Sequence, residues 1–177
     1  MNQMNQRKLM NRTSIVAVVA PVVVAVVAAT AGCDLAQPFE GPGYSLSEGL
    51  LSEAPGPFVV GTTWIVLSDD PEAQPTFDKH MSAMIDVVDD AKGLVGKSLS
   101  QPIGTEGYRT LTVWESEEDM LAWVVGETHA AAMSDMADLA KDGKTTSWTM
   151  TRDELAAAPP SWDEAKQRLD DDGVNAY

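Results

Sequence analysis

The chain has 177 residues, with 27 acidic against 12 basic side chains and a net charge of −15. That length suits one ordinary domain with extra segments at its ends, and so acidic a surface repels phosphate backbones, which excludes nucleic acid as a partner. The single cysteine, Cys33, excludes an intrachain disulfide.

Residues 1–32 read as an export signal rather than as fold. Arg7, Lys8 and Arg12 precede an apolar run from Ile15 to Ala29, and the small residues Thr30, Ala31 and Gly32 lead to Cys33. The run is shorter than the ~20 residues a membrane-spanning helix needs, and Pro21 interrupts it. The A-T-A-G-C junction resembles a bacterial lipobox, where the cysteine is acylated; Thr30 departs from the usual leucine-like residue. The resemblance implies a lipid anchor on Cys33 and a location on the exported side of a bacterial membrane, periplasmic or at the cell surface. An ordinary secretory signal with an incidental cysteine is the alternative. Cleavage removes three basic and no acidic groups, so the mature chain is more negative still. Membrane contact is then expected from the lipid alone.

Residues 33–57 are rich in proline and glycine with few large apolar groups, and are expected to form a flexible tether. From Phe58 the pattern changes. F-V-V-G-T-T-W-I-V-L (58–67) is a predicted strand, apolar on both faces. Phe77, Met81, Met84, Ile85 and Val88 share one stripe of a helix over roughly 72–91. Leu94 to Gln101 and Tyr108 to Glu115 are predicted strands joined by a hairpin. Ser116 is placed to cap a second helix whose first turn holds Glu117, Glu118 and Asp119, and which is expected to reach about Lys141. Lys144 to Thr151 is a fourth strand. In the tail, 152–177, Thr151 and Ser161 each have a glutamate three residues on, the signature of two short capped helices.

The order β-α-β-β-α-β over 58–151 predicts an α+β, ferredoxin-like domain, with a four-stranded antiparallel sheet and two helices on one face. The other face needs a cover. A second copy of the chain is the simplest one, which makes a homodimer the expectation.

This order, with Trp114-Glu115-Ser116, the acidic turn 117–119, Met120-Leu121-Ala122-Trp123, and His129 followed by Ala131-Ala132-Met133, resembles the antibiotic biosynthesis monooxygenase family of dimeric α+β barrels. The S-W-D-E-A run (161–165) also looks like tails in such proteins. The resemblance implies the fold more strongly than a chemistry, since the family's relatives include cofactor-free quinone-forming oxygenases and haem-degrading enzymes. The haem-degrading branch carries its histidine ten residues after a helix tryptophan. Counting from Trp123, that position is Met133, His129 is one turn early, and Phe58–Leu67 holds no asparagine. A haem-binding protein is therefore disfavoured, and no cofactor and no metal are expected.

His129 is the candidate catalytic residue. On a continuous helix it lies at the flank of the apolar face; if Gly126 breaks the helix, it heads a stripe with Ala132, Met133 and Met136 that points between helix and sheet. A capping or core histidine is the plainer reading. Trp64, Trp114 and Tyr108 are candidate walls of a ligand pocket, Arg109 a partner for an anionic intermediate, and His80 and Met133 further lining, although aromatics on strands are ordinary sheet residues. Two functions follow: a cofactor-independent monooxygenase of small aromatic or quinone-like molecules, or a non-catalytic ligand-binding or structural lipoprotein. A cavity between His129, the first helix and the sheet discriminates in favour of the first.

Overall fold

The computed structural model describes residues 34–102 and 106–177; the expected export signal over 1–32 and the expected lipidation site Cys33 lie outside the described residues. Three short N-terminal strands, β1 (Asp34–Ala36), β2 (Tyr44–Ser45) and β3 (Gly49–Leu50), precede the long β4 (Phe58–Leu67). Then follow α1 (Ala73–Val88), β5 (Leu94–Pro102), β6 (Tyr108–Trp114), α2 (Glu117–Val124), α3 (Glu127–Leu139) and β7 (Ala140–Met150). The chain ends with α4 (Arg152–Ala157), α5 (Trp162–Asp172) and β8 (Val174–Asn175).

The main sheet runs β1-β5-β6-β4-β7-β8, antiparallel throughout. Its four central strands carry the β-α-β-β-α-β connection with both crossovers on one face, so the domain is ferredoxin-like. Local chemistry sets the helix starts. Ser116 Oγ accepts from the Asp119 amide, Ser161 Oγ from the Glu164 amide, and Thr151 with Glu154 forms a full capping box.

Three expectations are corrected. The helix expected to run from 117 to about 141 is two helices. Glycine lacks the backbone bias that would carry the helix on, and Gly126 adopts an extended conformation as N-cap of α3. Strand β7 consequently begins at Ala140 rather than Lys144.

The segment expected to be a flexible tether packs on the domain. β1 pairs with β5, the Glu40 amide donates to the Lys97 carbonyl at 3.1 Å, and Phe39 and Tyr44 are buried edge to face. Gly41, Gly43 and Gly96 permit this approach: a side chain on Gly96 would collide with the Phe39 ring. Scattered large residues, not periodicity, hold the segment down.

The third correction concerns the face opposite α1–α3. No second copy is needed to cover it. Phe58, Val60, Val95, Leu111, Val113 and Trp148 bury there against Phe39 and Tyr44 from the N-terminal segment, Leu155 of α4 and Ala165 of α5. Arg152 donates to the Ala54 carbonyl at 2.6 Å, tying the two covers together, and the Arg168 guanidinium lies 5.5 Å from the centroid of the Trp148 ring.

Candidate functional site

Strand side chains alternate between faces, so β4, β6 and β7 each present a second set of residues to α1–α3. That set is Gly61 and Thr63 from β4, Thr110 and Thr112 from β6, and Thr145 and Ser147 from β7. These side chains are too short to meet a helix layer. Interiors otherwise close to crystal-like density, and here they do not: a cavity of about 550 Å³ lies between the helices and the sheet, within the ~300–1,000 Å³ usual for small-molecule sites.

The floor is hydroxyl-bearing, and part of it is satisfied within the sheet. Thr145 donates to the Thr62 carbonyl at 3.0 Å and lies 3.2 Å from the Thr63 hydroxyl. Trp114 Nε1 donates to Thr112 Oγ1 at 3.0 Å. The roof is apolar and deformable, with Met81 and Met84 from α1 and Met133 and Met136 from α3. One end is aromatic: Trp114 and Trp123 stack with centroids 6.2 Å apart, and Trp123 meets the His129 ring edge to face at 6.1 Å.

His129 lines this cavity from the first turn of α3. Its Nδ1 lies 3.1 Å from the Val124 carbonyl oxygen. A carbonyl only accepts, so Nδ1 carries the proton and the neutral ring leaves Nε2 with a lone pair. Burial pushes the imidazole pKa below its ordinary range, against the opposing pull of the Val124 carbonyl. The geometry behind this is the break at Gly126, which ends α2 beside the ring and exposes the Val124 carbonyl to it.

His80 lines the cavity from α1, and its Nε2 is 2.8 Å from Asp135 Oδ2 on α3. Lys97 brings the one ammonium among the described lining residues, and it is paired with Asp89. Among the described residues no group of three metal-ligating side chains forms, and no helix is long and apolar enough to cross a membrane.

Of the residues singled out from sequence, the structure brings His129, His80, Trp114 and Met133 together around one cavity. Trp64 and Arg109 are cross-strand partners on the other face, where they border a polar surface groove with Lys144 and Asp170. Tyr108 faces the helices but is taken up in packing: its ring lies 4.6 Å from Phe77, and its hydroxyl donates to Gln74 at 2.7 Å. Sequence reasoning passed over the threonine floor. The signal was present as parity, since Gly61, Thr63, Thr110, Thr112, Thr145 and Ser147 share one side of their strands and are small where a closed core needs large residues.

A ferredoxin-like α+β domain whose helix-covered face holds an apolar cavity with an imidazole at its aromatic end is the class that fold and site define. Residues 62–135 match the family described as antibiotic biosynthesis monooxygenase. Among solved structures, a dimeric protein of unknown function with a ferredoxin-like fold from Bacteroides fragilis is 12% identical, with 54% of this chain and 98% of that chain covered and a TM-score of 0.46. SnoaB, a cofactor-independent oxygenase from Streptomyces nogalater, is also 12% identical, with 55% and 96% covered and a TM-score of 0.43. No curated protein matches the chain.

Proposed function

We propose that the cavity binds a small phenolic or quinol-like aromatic molecule and that the domain oxygenates it without a cofactor. The observation that carries this reading is a neutral imidazole, His129, with a bare Nε2 at the aromatic end of an apolar cavity, in a domain of the monooxygenase type.

Nε2 accepts the phenolic proton, which leaves an electron-rich phenolate among largely apolar side chains. Dioxygen then places one atom on the ring carbon and leaves with the other as water, as the substrate loses two hydrogens and becomes a quinone. The substrate supplies all the electrons, so no separate reductant is required. That suits an exported protein, and we infer export and acylation from the basic start, the apolar run and Cys33. Because residues 36–54 pack on the sheet, a lipid on Cys33 would hold the domain close to the bilayer. Radiolabelled palmitate incorporated by the parent and not by Cys33→Ser is the expected result.

Self-association is proposed through a surface other than the covered sheet face. Leu121, Val124 and Val125 at the end of α2 are exposed apolar side chains suited to it. Light scattering that returns a monomer at micromolar concentration removes this part.

The test of the chemistry is oxygen uptake with hydroquinones and naphthols. His129→Gln is expected to lower the rate 10²-fold or more, the usual range for a lost general base. The parent rate should fall as pH drops through the depressed His129 pKa and stay level above it, because the neutral ring is the active form. Tight binding with no oxygen uptake by any of these compounds would instead mark a non-catalytic binding module.

A further inference from the structure

The cavity holds a second imidazole, and its surroundings differ from those of the first. His80 comes from α1, which packs beside α3, and its side chain is 16% exposed while that of its partner Asp135 is 50% exposed. The carboxylate therefore stands towards solvent and the ring stands inward. A carboxylate only accepts, so the His80 ring donates through Nε2, which leaves Nδ1 for another partner. No described group hydrogen-bonds Nδ1. As a surface ion pair this contact would contribute little to stability, and its placement on the cavity wall is what sets it apart.

The two histidines thus share one design. Each has one ring nitrogen tied to the protein, His129 to the Val124 carbonyl and His80 to Asp135, and each leaves the other nitrogen unfilled beside the same apolar space. The other α1 residues that line it, Met81, Met84, Ile85 and Val88 among them, offer no hydrogen bond of comparable strength. His129 and Asp135 lie six residues apart on α3, about 9 Å along the helix axis, so the two stations are well separated.

We propose that His80, oriented by Asp135, is a second hydrogen-bonding station for the bound molecule, and that the ligand class is a fused-ring aromatic carrying oxygen functions at two distant positions. One oxygen meets His129 and the other meets His80, and a single ring is too short to engage both. This rests on the reading of the cavity as an aromatic-ligand site. In it His80 is a positioning residue: it fixes which end of the ligand faces His129.

The experiment is a pair of titrations of the full chain, followed by quenching of tryptophan fluorescence, with 2-naphthol and with 2,6-dihydroxynaphthalene. The parent is expected to bind the diol about tenfold more tightly, the ratio one added hydrogen bond in a buried site supports. His80→Leu should bring the two affinities together. Asp135→Asn, which keeps an oxygen acceptor for Nε2, should retain most of the preference, and Asp135→Leu should lose it; circular dichroism establishes that each variant is folded. Equal affinities in the parent, or a preference that survives in His80→Leu, overturn the proposal and leave the aromatic-site reading standing. Failure of both naphthols to bind removes the two together.

Discussion

The two faces of the central sheet are built on opposite plans. Towards α4, α5 and the N-terminal segment the strands present Phe58, Val60, Leu111, Val113 and Trp148, which fill their layer. Towards α1–α3 the same strands present Gly61, Thr63, Thr110, Thr112 and Thr145, which do not. Residues 110 and 111 are neighbours in sequence, yet one floors a cavity and the other is buried to 1% exposure. Stability and function are thereby assigned to different parities of the same strands. A sheet closed on one side tolerates a cavity on the other, because the packed face supplies the burial that the open face gives up.

The largest expected effect tests whether the N-terminal segment belongs to the packed face. Phe39→Ala removes a buried ring from against Tyr44 and Gly96, and should cost about 3–5 kcal/mol in urea denaturation. A tether would register no change. Leu111→Ala on β6 follows, with a loss of about 2–5 kcal/mol. Neither should alter ligand affinity under conditions where the variant is folded. A variant of the packed face that weakens binding while folded would break the division between the faces.

Much of the fold was legible because local signals agreed with one another. Strand β4 was read at its observed limits, Phe58–Leu67, since a proline-glycine stretch precedes it and S-D-D-P follows. Ser116, Thr151 and Ser161 announced three helix starts through capping chemistry that needs no tertiary context. The cover of the second face was not legible, because Phe39 and Tyr44 come from a segment without strong periodicity, while Leu155 and Ala165 sit on short helices whose packing partner no local signal names. Within the site, Trp114 and His129 stood out by type, whereas the threonine floor had to be read from parity. The same parity separates Trp64 and Arg109 from the cavity: they sit one residue from Ile65 and Tyr108, which face the helices.

The wall of the cavity has its own lock, of smaller size. Asp119 in the first turn of α2 is buried, accepts from Lys92 Nζ at 2.8 Å and from Ser116 Oγ at 2.6 Å, and rests on Gly93, whose φ of +74° and missing side chain admit it. The Lys92 and Ser116 hydrogen bonds hold its carboxyl below the usual carboxylate range. A carboxyl with a depressed folded-state pKa contributes stability that is present above its unfolded pKa and lost as pH falls through the folded one. Because the Lys92 side chain is 86% exposed, salt screens part of this. Asp119→Ala is expected to cost about 1–2 kcal/mol near neutrality. It should also flatten the acid limb of stability against pH, read from denaturation midpoints between neutral and acidic buffers. An unchanged acid limb would show that α2 is held without this carboxylate.

The smallest effect on stability should accompany the largest effect on the site. Thr110 lines the floor, and its side chain makes no hydrogen bond among the described residues, so Thr110→Leu abandons no buried polar partner. The added carbons enter existing space instead of displacing neighbours, and the transfer gain of about 0.8 kcal/mol per buried methylene offsets lost rotamer freedom. Stability should therefore move by less than about 1 kcal/mol in either direction. Naphthol affinity should nevertheless fall at least about tenfold, because a filled floor leaves no room for a ring. A loss of stability as large as that of Leu111→Ala, its neighbour on the other face, would mean that the threonine floor is packed against the helices in solution. The division between a structural face and a binding face would then fail at the one pair of adjacent residues where it is sharpest.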